Sequence, residues 1–362
     1  MKILITGICG FVGSTLARAL QLESRVQEII GLDNLRRAGS QVNLEPLRAD
    51  GVQVEVADIR DAPFWERAPK VDWVIDAAAE PSVLAGVDGT TGSLDLVENN
   101  LYGTIQILEY CKRVQAGFIL LSTSRVYSIP GQAAIEVQPV EGDFGSAFFP
   151  KPDFPFPPGI SRSGISETYA TTPPVSLYGS TKVASEQMAL EYGLTFNFPV
   201  WINRCGVLAG AGQFGVATQG IFSFWIHSWL HRRPLRYIGF GGKGHQVRDC
   251  LHPFDLLPVL MQQMEKEAVE ANPIYNLAGG IKESMSLEQL SGWCRRRFGD
   301  RRVTSDPEMR PFDLPWIVLD SQKAEAEFQF KPHLCLEDIL VEIAEFAESH
   351  PEWMDLSQGK TR

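Results

Sequence analysis

The apolar residues in the first third of the chain form short continuous runs separated by segments with helical spacing. The runs are residues 1–6, 28–33, 73–75 and 117–121, and a further strand-like segment, 52–56, has valines at alternate positions. Continuous aliphatic and β-branched runs of this length are typical of strands that are buried on both faces of a parallel sheet. The alternation of strands and helices therefore predicts an α/β protein with a Rossmann-type, doubly wound parallel sheet.

The pattern changes between residues 129 and 174, where prolines, glycines and acids are frequent and periodicity is weak. Long segments of this kind are usually functional or poorly ordered, and we expect this one to fold over a ligand. Farther along, the spacing predicts a mostly buried helix at 222–229 and an amphipathic helix at 336–346. We expect residues 349–362 to be frayed.

Three glycines connect the first predicted strand to the helix after it. Gly7, Gly10 and Gly13 are spaced three apart, with Phe11 and Val12 between the last two. Glycine is needed where a turn is tight and where the backbone approaches a pyrophosphate, and the N-terminus of the following helix offers free N–H groups to that charge. Three glycines alone more often mark an ordinary turn. Their position between strand and helix favours a dinucleotide site.

An acid ends the second predicted strand about twenty residues later, as a dinucleotide site requires. Asp33 can accept hydrogen bonds from the diol of an adenosine ribose and repel a 2′-phosphate, which favours NAD over NADP. Arg36 and Arg37 follow it, and arginines there could instead hold a phosphate. We predict NAD as the cofactor, with Asn34 beside Asp33 in the site.

Polar and small residues also follow the next predicted strands. An acid and an isoleucine after the third strand are placed to reach the adenine, and three alanines after the fourth leave room for a flat nicotinamide. Each alone is more often a packing residue, but the series on successive strand ends favours a cofactor site. The cofactor contacts predicted in this part of the chain are Asp58, Ile59, Ala77, Ala78, Ala79, Asn100 and Ser122.

Candidate chemistry lies in Thr123, Tyr178 and Lys182. Thr123 ends the fifth predicted strand, and Tyr178 and Lys182 are four residues apart on a predicted helix, so they share one face. A lysine ammonium near a phenol lowers the pKa of the phenol from about 10 toward neutrality, so that the tyrosinate can take a proton from a sugar hydroxyl. Such a pair alone usually marks a solvated helix face. After a dinucleotide fingerprint it predicts catalysis, and both residues also count as cofactor contacts.

Length and charge agree with an enzyme that acts on small molecules. The 362 residues suggest two closely joined domains, and the net charge of −11 argues against nucleic acid or an anionic membrane as partner. No apolar stretch has the length of a bilayer helix, and the N-terminus lacks a signal pattern, so we expect a cytoplasmic protein. The six cysteines are scattered, which predicts reduced thiols and no metal site.

These motifs together resemble the extended short-chain dehydrogenase/reductase family, specifically its NAD-dependent nucleotide-sugar epimerases and dehydratases. The resemblance covers residues 1–345 and also rests on residues 121–127, 246–252 and 310–313. Within the family, residues 210–214 with Gln219–Gly220, 239–249 and 275–280 look most like the CDP-paratose 2-epimerases, also called CDP-tyvelose epimerases. The resemblance implies catalytic roles for Thr123, Tyr178 and Lys182.

The same resemblance implies where the substrate lies. Arg248 and Arg310 fall where family arginines grip a diphosphate, although a salt bridge from Arg248 to Asp249 or Asp313 is the structural alternative. Gln213 and Gln219 are candidate donors to sugar hydroxyls, or else cap helices. The full predicted set of substrate contacts is Thr123, Ser124, Arg125, Gln213, Gln219, Arg248 and Arg310.

The chain departs from the family pattern at several positions. Ser124 and Arg125 replace the Asp-Glu pair of dehydratases, which disfavours dehydration, and Val207 replaces an asparagine usual in 4-epimerases. Asp76 replaces a common histidine, and Glu80 a common glutamine. The sequence assigns no role to these last two.

We divide the chain according to this resemblance. Residues 1–200, with a return segment near 246–275, form the predicted NAD-binding Rossmann domain. Residues 201–245 and 276–350 form the predicted substrate domain, a smaller α/β unit, and 351–362 form a tail. The resemblance also implies a homodimer formed through two helices, near 96–114 and 178–193.

The expected activity is redox-neutral epimerisation at C2 of a CDP-hexose through a transient keto-sugar. The nearer alternative is a UDP- or dTDP-hexose 4-epimerase. A net dehydrogenase that releases NADH is a further alternative. The most distant one is a non-catalytic NAD-binding regulatory protein, which has no need for all of Thr123, Tyr178 and Lys182.

Overall fold

A computed structural model describes residues 1–87, 89, 91–266 and 271–359 of the protein. The strands in this part of the chain are β1 (Lys2–Thr6), β2 (Glu28–Asp33), β3 (Gln53–Val56), β4 (Trp73–Asp76), β5 (Gly117–Thr123), β6 (Val137–Gly142), β7 (Gly145–Pro150), β8 (Ile160–Ser161), β9 (Gly164–Ile165), β10 (Val200–Cys205), β11 (Val207–Leu208), β12 (Arg236–Ile238), β13 (Val247–Leu251), β14 (Ile274–Leu277), β15 (Ser284–Ser286), β16 (Thr304–Asp306) and β17 (Trp316–Ile317).

The α-helices of the same residues are α1 (Phe11–Gln21), α2 (Leu44–Ala49), α3 (Ala62–Arg67), α4 (Ser93–Val97), α5 (Gly103–Val114), α6 (Ile129–Ala133), α7 (Leu177–Phe196), α8 (Ile221–Leu230), α9 (Leu257–Met264), α10 (Leu287–Phe298), α11 (Gln322–Phe328), α12 (Leu336–Ser349) and α13 (Trp353–Ser357). A π-helical turn, Glu98–Tyr102, joins α4 to α5. The resulting continuous helix matches the one predicted near 96–114.

The main sheet has the order β14-β10-β5-β4-β1-β2-β3, with all of its described strands parallel. This confirms the predicted doubly wound parallel sheet. The direction of winding reverses between β1 and β4, and in such sheets the ligand binds at the carboxyl ends of the strands beside that reversal. β14 brings the chain back to the sheet at the end of the predicted return segment, while the domain boundaries themselves stay a prediction.

Two apolar layers cover the faces of this sheet. Ile3 and Ile5 of β1 pack with Leu16 of α1 on one face, and Leu4 packs with Ile107 of α5 on the other. Side chains alternate between faces along a strand, and both faces of β1 are buried. A continuous apolar run with no polar alternation follows from this arrangement.

The rest of the chain builds a second core around α8, α10 and α12. Trp225, Trp229, Leu290 and Ile343 are buried there. Helix α8 confirms the buried helix predicted at 222–229, and α12 includes the amphipathic helix predicted at 336–346. This unit lies beside a small sheet in which β13 pairs with β11, β15 and β17.

The segment 129–174 is ordered and does not cover the site. It forms the hairpins β6–β7 and β8–β9, and β7 is tied to the second core because Ser286 donates to the Ser146 carbonyl at 2.7 Å. None of its residues, all of which the structure describes, lines the cavity presented below. Our expectation that it folds over the substrate is therefore wrong for this structure, because its apolar side chains instead pack on β13 and β17.

The C-terminal region also differs from our expectation. Residues 353–357 form α13, in which Trp353 and Met354 are buried. Trp353 stacks on Phe214 with ring centroids 5.0 Å apart and donates to the Gln213 carbonyl at 3.0 Å. The predicted frayed end is thus wrong up to residue 359, because a tryptophan in the tail finds an aromatic partner; the last three residues lie outside the described part.

Three general findings complete the fold. No helix built from the described residues combines the length and the hydrophobicity that crossing a bilayer requires. The six cysteines form no disulfide, and five of them are buried. The described residues contain no group of three or more histidines, cysteines and acids that could hold a metal ion.

Candidate active site

A cavity of about 1000 Å³ opens at the carboxyl ends of the main-sheet strands. Because β2, β1, β4 and β5 are successive neighbours, the residues that follow them line the cavity in the same order. The predicted site residues in its wall are Gly7, Gly10, Phe11, Val12, Gly13, Asp33, Asn34, Ile59, Ala77, Ala78, Ala79, Ser122, Thr123, Ser124, Arg125, Tyr178, Lys182, Gln213, Gln219, Arg248 and Arg310.

The glycine loop has a shape that side chains would fill. Gly7 has φ +65°, and a Cβ atom on it would lie 2.9 Å from the carbonyl oxygen of Ala77. A Cβ atom on Gly13 would lie 2.3 Å from the carbonyl oxygen of Gly7. No side chain caps the N-terminus of α1 at Gly10, so its first N–H groups are available to a phosphate. The loop therefore fits the pyrophosphate of a dinucleotide.

Asp33 ends β2 beside this loop with its carboxylate held in place. One oxygen accepts from the Cys9 N–H at 2.9 Å and the other from the Leu35 N–H at 2.7 Å. Burial raises the pKa of Asp33, and these backbone hydrogen bonds act in the opposite direction. The carboxylate keeps lone pairs for a ribose diol, as predicted for NAD.

The two arginines after Asp33 are engaged with protein groups. Arg36 forms a two-pronged ion pair with Asp95. Arg37 donates to the Gln219 side-chain oxygen at 2.7 Å and to the Phe214 carbonyl at 2.6 Å. Because both guanidinium groups already have partners, the arrangement favours NAD over a cofactor with an additional phosphate.

Two predicted cofactor residues do not reach the cavity. Asp58 pairs with Arg60 at 2.8 Å and accepts from the Asn34 side chain at 2.9 Å. Asn100 accepts from the Glu80 N–H at 2.7 Å and donates to Thr181 at 3.2 Å. Both side chains are bonded to nearby polar groups, and their roles as cofactor contacts stay predictions.

The candidate catalytic residues come from two elements that pack together. Thr123 ends β5, and Tyr178 and Lys182 lie in the first two turns of α7, which begins after Ser176. The Ser176 hydroxyl caps this helix by accepting from the Gly179 N–H at 3.1 Å. A Cβ atom on Gly179 would lie 2.4 Å from the Arg125 carbonyl oxygen, so the glycine lets α7 approach the turn after β5. That approach brings Tyr178 to Thr123.

The protonation of the pair differs from our prediction. Burial raises the pKa of Tyr178 to about 12, while a hydrogen bond with Thr123 and the charge of Arg125 act in the opposite direction. Burial also lowers the pKa of Lys182. The predicted shift of the Tyr178 pKa toward neutrality is therefore wrong for this structure, because the cost of removing a phenolate from water exceeds the stabilisation by its neighbours.

Two buried carboxylates support Lys182. Asp76 accepts from Thr6 at 2.6 Å and from Thr104 at 3.1 Å, and its charge raises the pKa of Lys182 against the effect of burial. Glu186, one turn after Lys182, acts on Lys182 in the same direction. The structure thus places Asp76, to which the sequence assigned no role, near enough to Lys182 for its charge to act on the pKa of the lysine.

Three of the predicted substrate contacts, Arg125, Arg248 and Arg310, line the same cavity, and we call them the cationic wall. Arg248 donates to Asp313 at 2.6 Å, and this salt bridge is one that the sequence offered as an alternative to a diphosphate contact. Arg248 lines the cavity as well. Arg310 donates to the Ala217 carbonyl at 3.2 Å. Together with Arg125 they can bind phosphate oxygens or sugar hydroxyls.

The two predicted glutamines are held by the protein. The Gln219 side-chain oxygen is the acceptor for Arg37, so this residue links the adenosine end of the cavity to the 213–220 loop. Gln213 donates to the Leu208 carbonyl at 2.6 Å, and its buried side-chain oxygen has no partner among the described residues. Gln219 lines the cavity, and its role as a sugar contact stays a prediction.

Several wall residues were not predicted from the sequence. Glu80, Phe312 and Asp313 line the cavity, and so does Ser357 of α13. Asp313 lies in the motif 310–313, on which the family resemblance partly rests. The sequence analysis already gave it as a possible salt-bridge partner of Arg248. No sequence signal identifies Ser357, because its position depends on how the tail packs.

These features define a Rossmann-type enzyme with a dinucleotide site next to a tyrosine, a lysine and a threonine. The model of the NAD dependent epimerase/dehydratase family matches residues 3–278, which is most of the chain. The protein belongs to this family, and NAD is its cofactor.

Three individual relatives are each less than 30% identical to this chain. CDP-paratose 2-epimerase of Salmonella typhi is 25% identical over 355 residues, which cover 93% of this chain and 96% of the relative. A probable dTDP-glucose 4,6-dehydratase of Sinorhizobium fredii (strain NBRC 101917 / NGR234) is 29% identical, with 91% and 88% covered. The crystal structure of UDP-glucuronic acid 4-epimerase from Bacillus cereus has the same fold, with a TM-score of 0.76 at 24% identity over 96% of this chain and 99% of that one.

Proposed function

We propose that the protein is an NAD-dependent nucleotide-sugar epimerase that inverts C2 of a CDP-hexose of the CDP-paratose or CDP-tyvelose type. The observation that carries this proposal is the position of Thr123, Tyr178 and Lys182. They lie in the wall of one cavity that also contains the glycine loop and the cationic wall. A nucleotide sugar held there by its diphosphate would present its ring to these three residues.

The side chains have distinct tasks in this reaction. Tyr178 takes the proton from a ring hydroxyl and later gives it back, and Thr123 holds the same oxygen by a hydrogen bond. The glycine loop and Asp33 would hold NAD, which would supply a reversible hydride acceptor for the carbon of that hydroxyl. Arg248 and Arg310 anchor the diphosphate while the sugar presents its other face. One proton and one hydride leave and return, so no external reductant is consumed.

The acids in the cavity wall support epimerisation over dehydration. Removing water requires an acid and a base beside the sugar. Of the wall residues that the structure describes, the acids are Asp33, Glu80 and Asp313. Asp33 is fixed by backbone N–H groups at the adenosine end, and Asp313 is paired with Arg248. Glu80 is thus a lone carboxylate near the reacting groups, and Ser124 and Arg125 supply none.

The choice of CDP and of C2 rests on the sequence stretches 210–214, 239–249 and 275–280 and on the similarity to the CDP-paratose 2-epimerase of Salmonella typhi. The test is to incubate the purified protein, without added NAD, with CDP-, UDP-, dTDP- and GDP-hexoses and to follow the products by proton NMR. Inversion at C2 of a CDP-hexose supports the proposal, whereas inversion at C4 of a UDP- or dTDP-hexose replaces it with the 4-epimerase alternative.

We further propose a cytoplasmic homodimer formed through the helix 93–114 and α7. These helices pack on each other and expose apolar side chains on the same side of the main sheet. The exposed apolar residues are Leu94, Val97, Tyr102, Leu177 and Leu194. Light scattering during size-exclusion chromatography measures the mass, and a monomer of 40.2 kDa at micromolar concentration contradicts this part of the proposal.

A further inference from the structure

Helix α13 forms part of the cavity wall at the adenosine end. Ser357 of this helix and Ala38, from the turn after Asp33, both line the cavity. The two segments meet, because a Cβ atom on Gly359 would lie 3.6 Å from the Cβ atom of Ala38. The wall at this end is therefore built from two parts of the chain that are far apart in sequence.

The Phe214 ring joins α13 to the turn after Asp33. Trp353 of α13 stacks on this ring, with centroids 5.0 Å apart and an angle of 14° between the planes. A Cβ atom on Gly39 would lie only 2.8 Å from the same ring and 3.3 Å from the Leu356 carbonyl oxygen. Since the backbone of the turn meets both the ring and α13, the three segments pack without space between them.

Hydrogen bonds connect the same three segments. The Trp353 indole donates to the Gln213 carbonyl at 3.0 Å. Arg37 donates to the Phe214 carbonyl at 2.6 Å and to the Gln219 side chain at 2.7 Å. The turn after β2 and α13 thus hold one loop together. We call the contact between residues 37–39, 213–219 and 353–359 the tail clasp.

The tail clasp lies beside the predicted ribose contact of NAD. Asp33, whose carboxylate is placed for the adenosine ribose, directly precedes the turn. The Leu35 N–H, which donates to that carboxylate at 2.7 Å, belongs to the turn as well. A movement of the turn therefore opens the wall and disturbs Asp33 at the same time. The match to the family model ends at residue 278, so the family gives no role to α13.

We propose that the tail clasp retains NAD in the cavity, with Trp353 as the positioning residue that keeps the adenosine end closed. Release of NAD then requires Trp353 to leave Phe214, so that the turn after Asp33 can move away from α13. The inference concerns the cofactor and goes beyond the proposed function, since it holds for any sugar nucleotide. Retention of NAD suits a reaction that returns its hydride, because such a reaction needs no exchange of cofactor.

The first test closes the tail clasp with a disulfide. The double variant Ala38→Cys with Gly359→Cys places two Cβ atoms 3.6 Å apart, within the separation of about 3.5–4.5 Å that a disulfide spans. The exposed Cys335 is replaced by serine in every variant. The protein is loaded with radiolabelled NAD, oxidised and mixed with an excess of unlabelled NAD. Gel filtration at successive times measures the label that stays bound.

We expect the oxidised double variant to release NAD at least about tenfold more slowly than its reduced form, because the crosslink prevents the local opening. Each single cysteine variant is a control and should release NAD at the same rate with and without reductant. Equal rates for the oxidised and reduced double variant overturn the proposal, since a tail that only adds stability does not respond in this way. Failure of the disulfide to form under oxidation contradicts the closed contact itself.

The second test replaces Trp353. Trp353→Ala removes the stacked ring, and we expect NAD to dissociate about tenfold faster at a temperature where the variant is folded. Trp353→Phe keeps a ring on Phe214 and should restore most of the natural rate. Trp293→Ala is the matched control, because Trp293 is a buried tryptophan of the second core that does not line the cavity.

The outcomes separate this inference from the proposed function. If Trp293→Ala accelerates the release of NAD as much as Trp353→Ala does, the effect is general destabilisation and the inference fails. If no sugar nucleotide reacts, the proposed function fails, while the rates of NAD release still decide the role of the tail clasp.

Discussion

The buried ion pair between β10 and α7 gives a quantitative prediction. Arg204 of β10 binds Glu186 of α7 through contacts of 2.6, 3.1 and 3.2 Å, and the side chains are 4% and 0% exposed. Glu186 also accepts from the Ser122 hydroxyl at 2.5 Å, and the guanidinium lies 5.0 Å from the centre of the Tyr127 ring. Replacing Arg204 by Met leaves a carboxylate without its partner in the core.

An uncompensated buried charge of this kind destabilises a protein by about 3–5 kcal/mol. Lys2→Met is the matched control, because Lys2 contacts Glu28 at the same 2.6 Å but with side chains 50% and 25% exposed. An exposed pair of this kind contributes little to stability, because water screens its charges. The double variant Glu186→Gln with Arg204→Met removes both charges, so it should recover at least about 1 kcal/mol of the loss caused by Arg204→Met.

The assay is urea unfolding followed by tryptophan fluorescence, at one fixed concentration of free NAD because a ligand adds to the apparent stability. We expect the natural protein and Lys2→Met to have similar unfolding free energies, which are the highest of the set. The double variant should be less stable than these two, and Arg204→Met should be the least stable. The reasoning is refuted if Arg204→Met costs no more than Lys2→Met, or if the double variant is less stable than Arg204→Met.

Three further predictions concern the glycine loop, a buried histidine and the C-terminal helix. Gly13→Ala should abolish the retention of NAD through gel filtration, because the added Cβ atom would lie 2.3 Å from the carbonyl oxygen of Gly7. Full retention of NAD contradicts the assignment of the glycine loop to the cofactor. Burial lowers the pKa of His227 to about 3, so the unfolded chain binds the additional proton below pH 6.5 and stability rises with pH between about 3 and 6.5. His227→Leu should reduce the increase of the unfolding free energy with pH, which is measured by urea unfolding at several pH values. An unchanged increase contradicts this prediction. Trp353→Ala should cost about 3–5 kcal/mol in unfolding experiments, whereas a frayed tail predicts no loss.

The main sheet and the cofactor site were predictable because their signals are local. Continuous apolar runs identify strands that are covered on both faces, and the turn after β1 has glycines where added Cβ atoms at Gly7 and Gly13 meet backbone atoms. Tyr178 and Lys182 were found by their spacing on one helix and Thr123 by its position at a strand end. Each of these inferences needs only residues that are near one another in sequence or on neighbouring strands.

The contacts that the sequence did not predict include both local and distant partners. Asp58, which was assigned to adenine, pairs with Arg60, two residues away. Gln219 bonds with Arg37, which is 182 residues earlier in the chain, and no periodicity predicts that pairing. The tail forms a helix because Trp353 packs on Phe214.

The direction of the Tyr178 pKa was also inaccessible from the motif. The spacing to Lys182 predicts a nearby cation, but the pKa depends on how fully the phenol is removed from water and on which charges face it. In the structure, burial has the largest effect, and Arg125 from the turn after β5 is the cation that acts on the phenol. A motif specifies which groups are near each other, whereas their protonation depends on the complete environment.

The central claim is tested most directly with a CDP-hexose that carries deuterium at C2, incubated in ordinary water with the protein as purified. The account predicts a C2-inverted product that keeps its deuterium, because the same hydride leaves and returns within one cavity, and it predicts no product with Tyr178→Phe although NAD stays bound. Loss of the deuterium to solvent, or inversion by Tyr178→Phe at a rate near that of the natural protein, contradicts it.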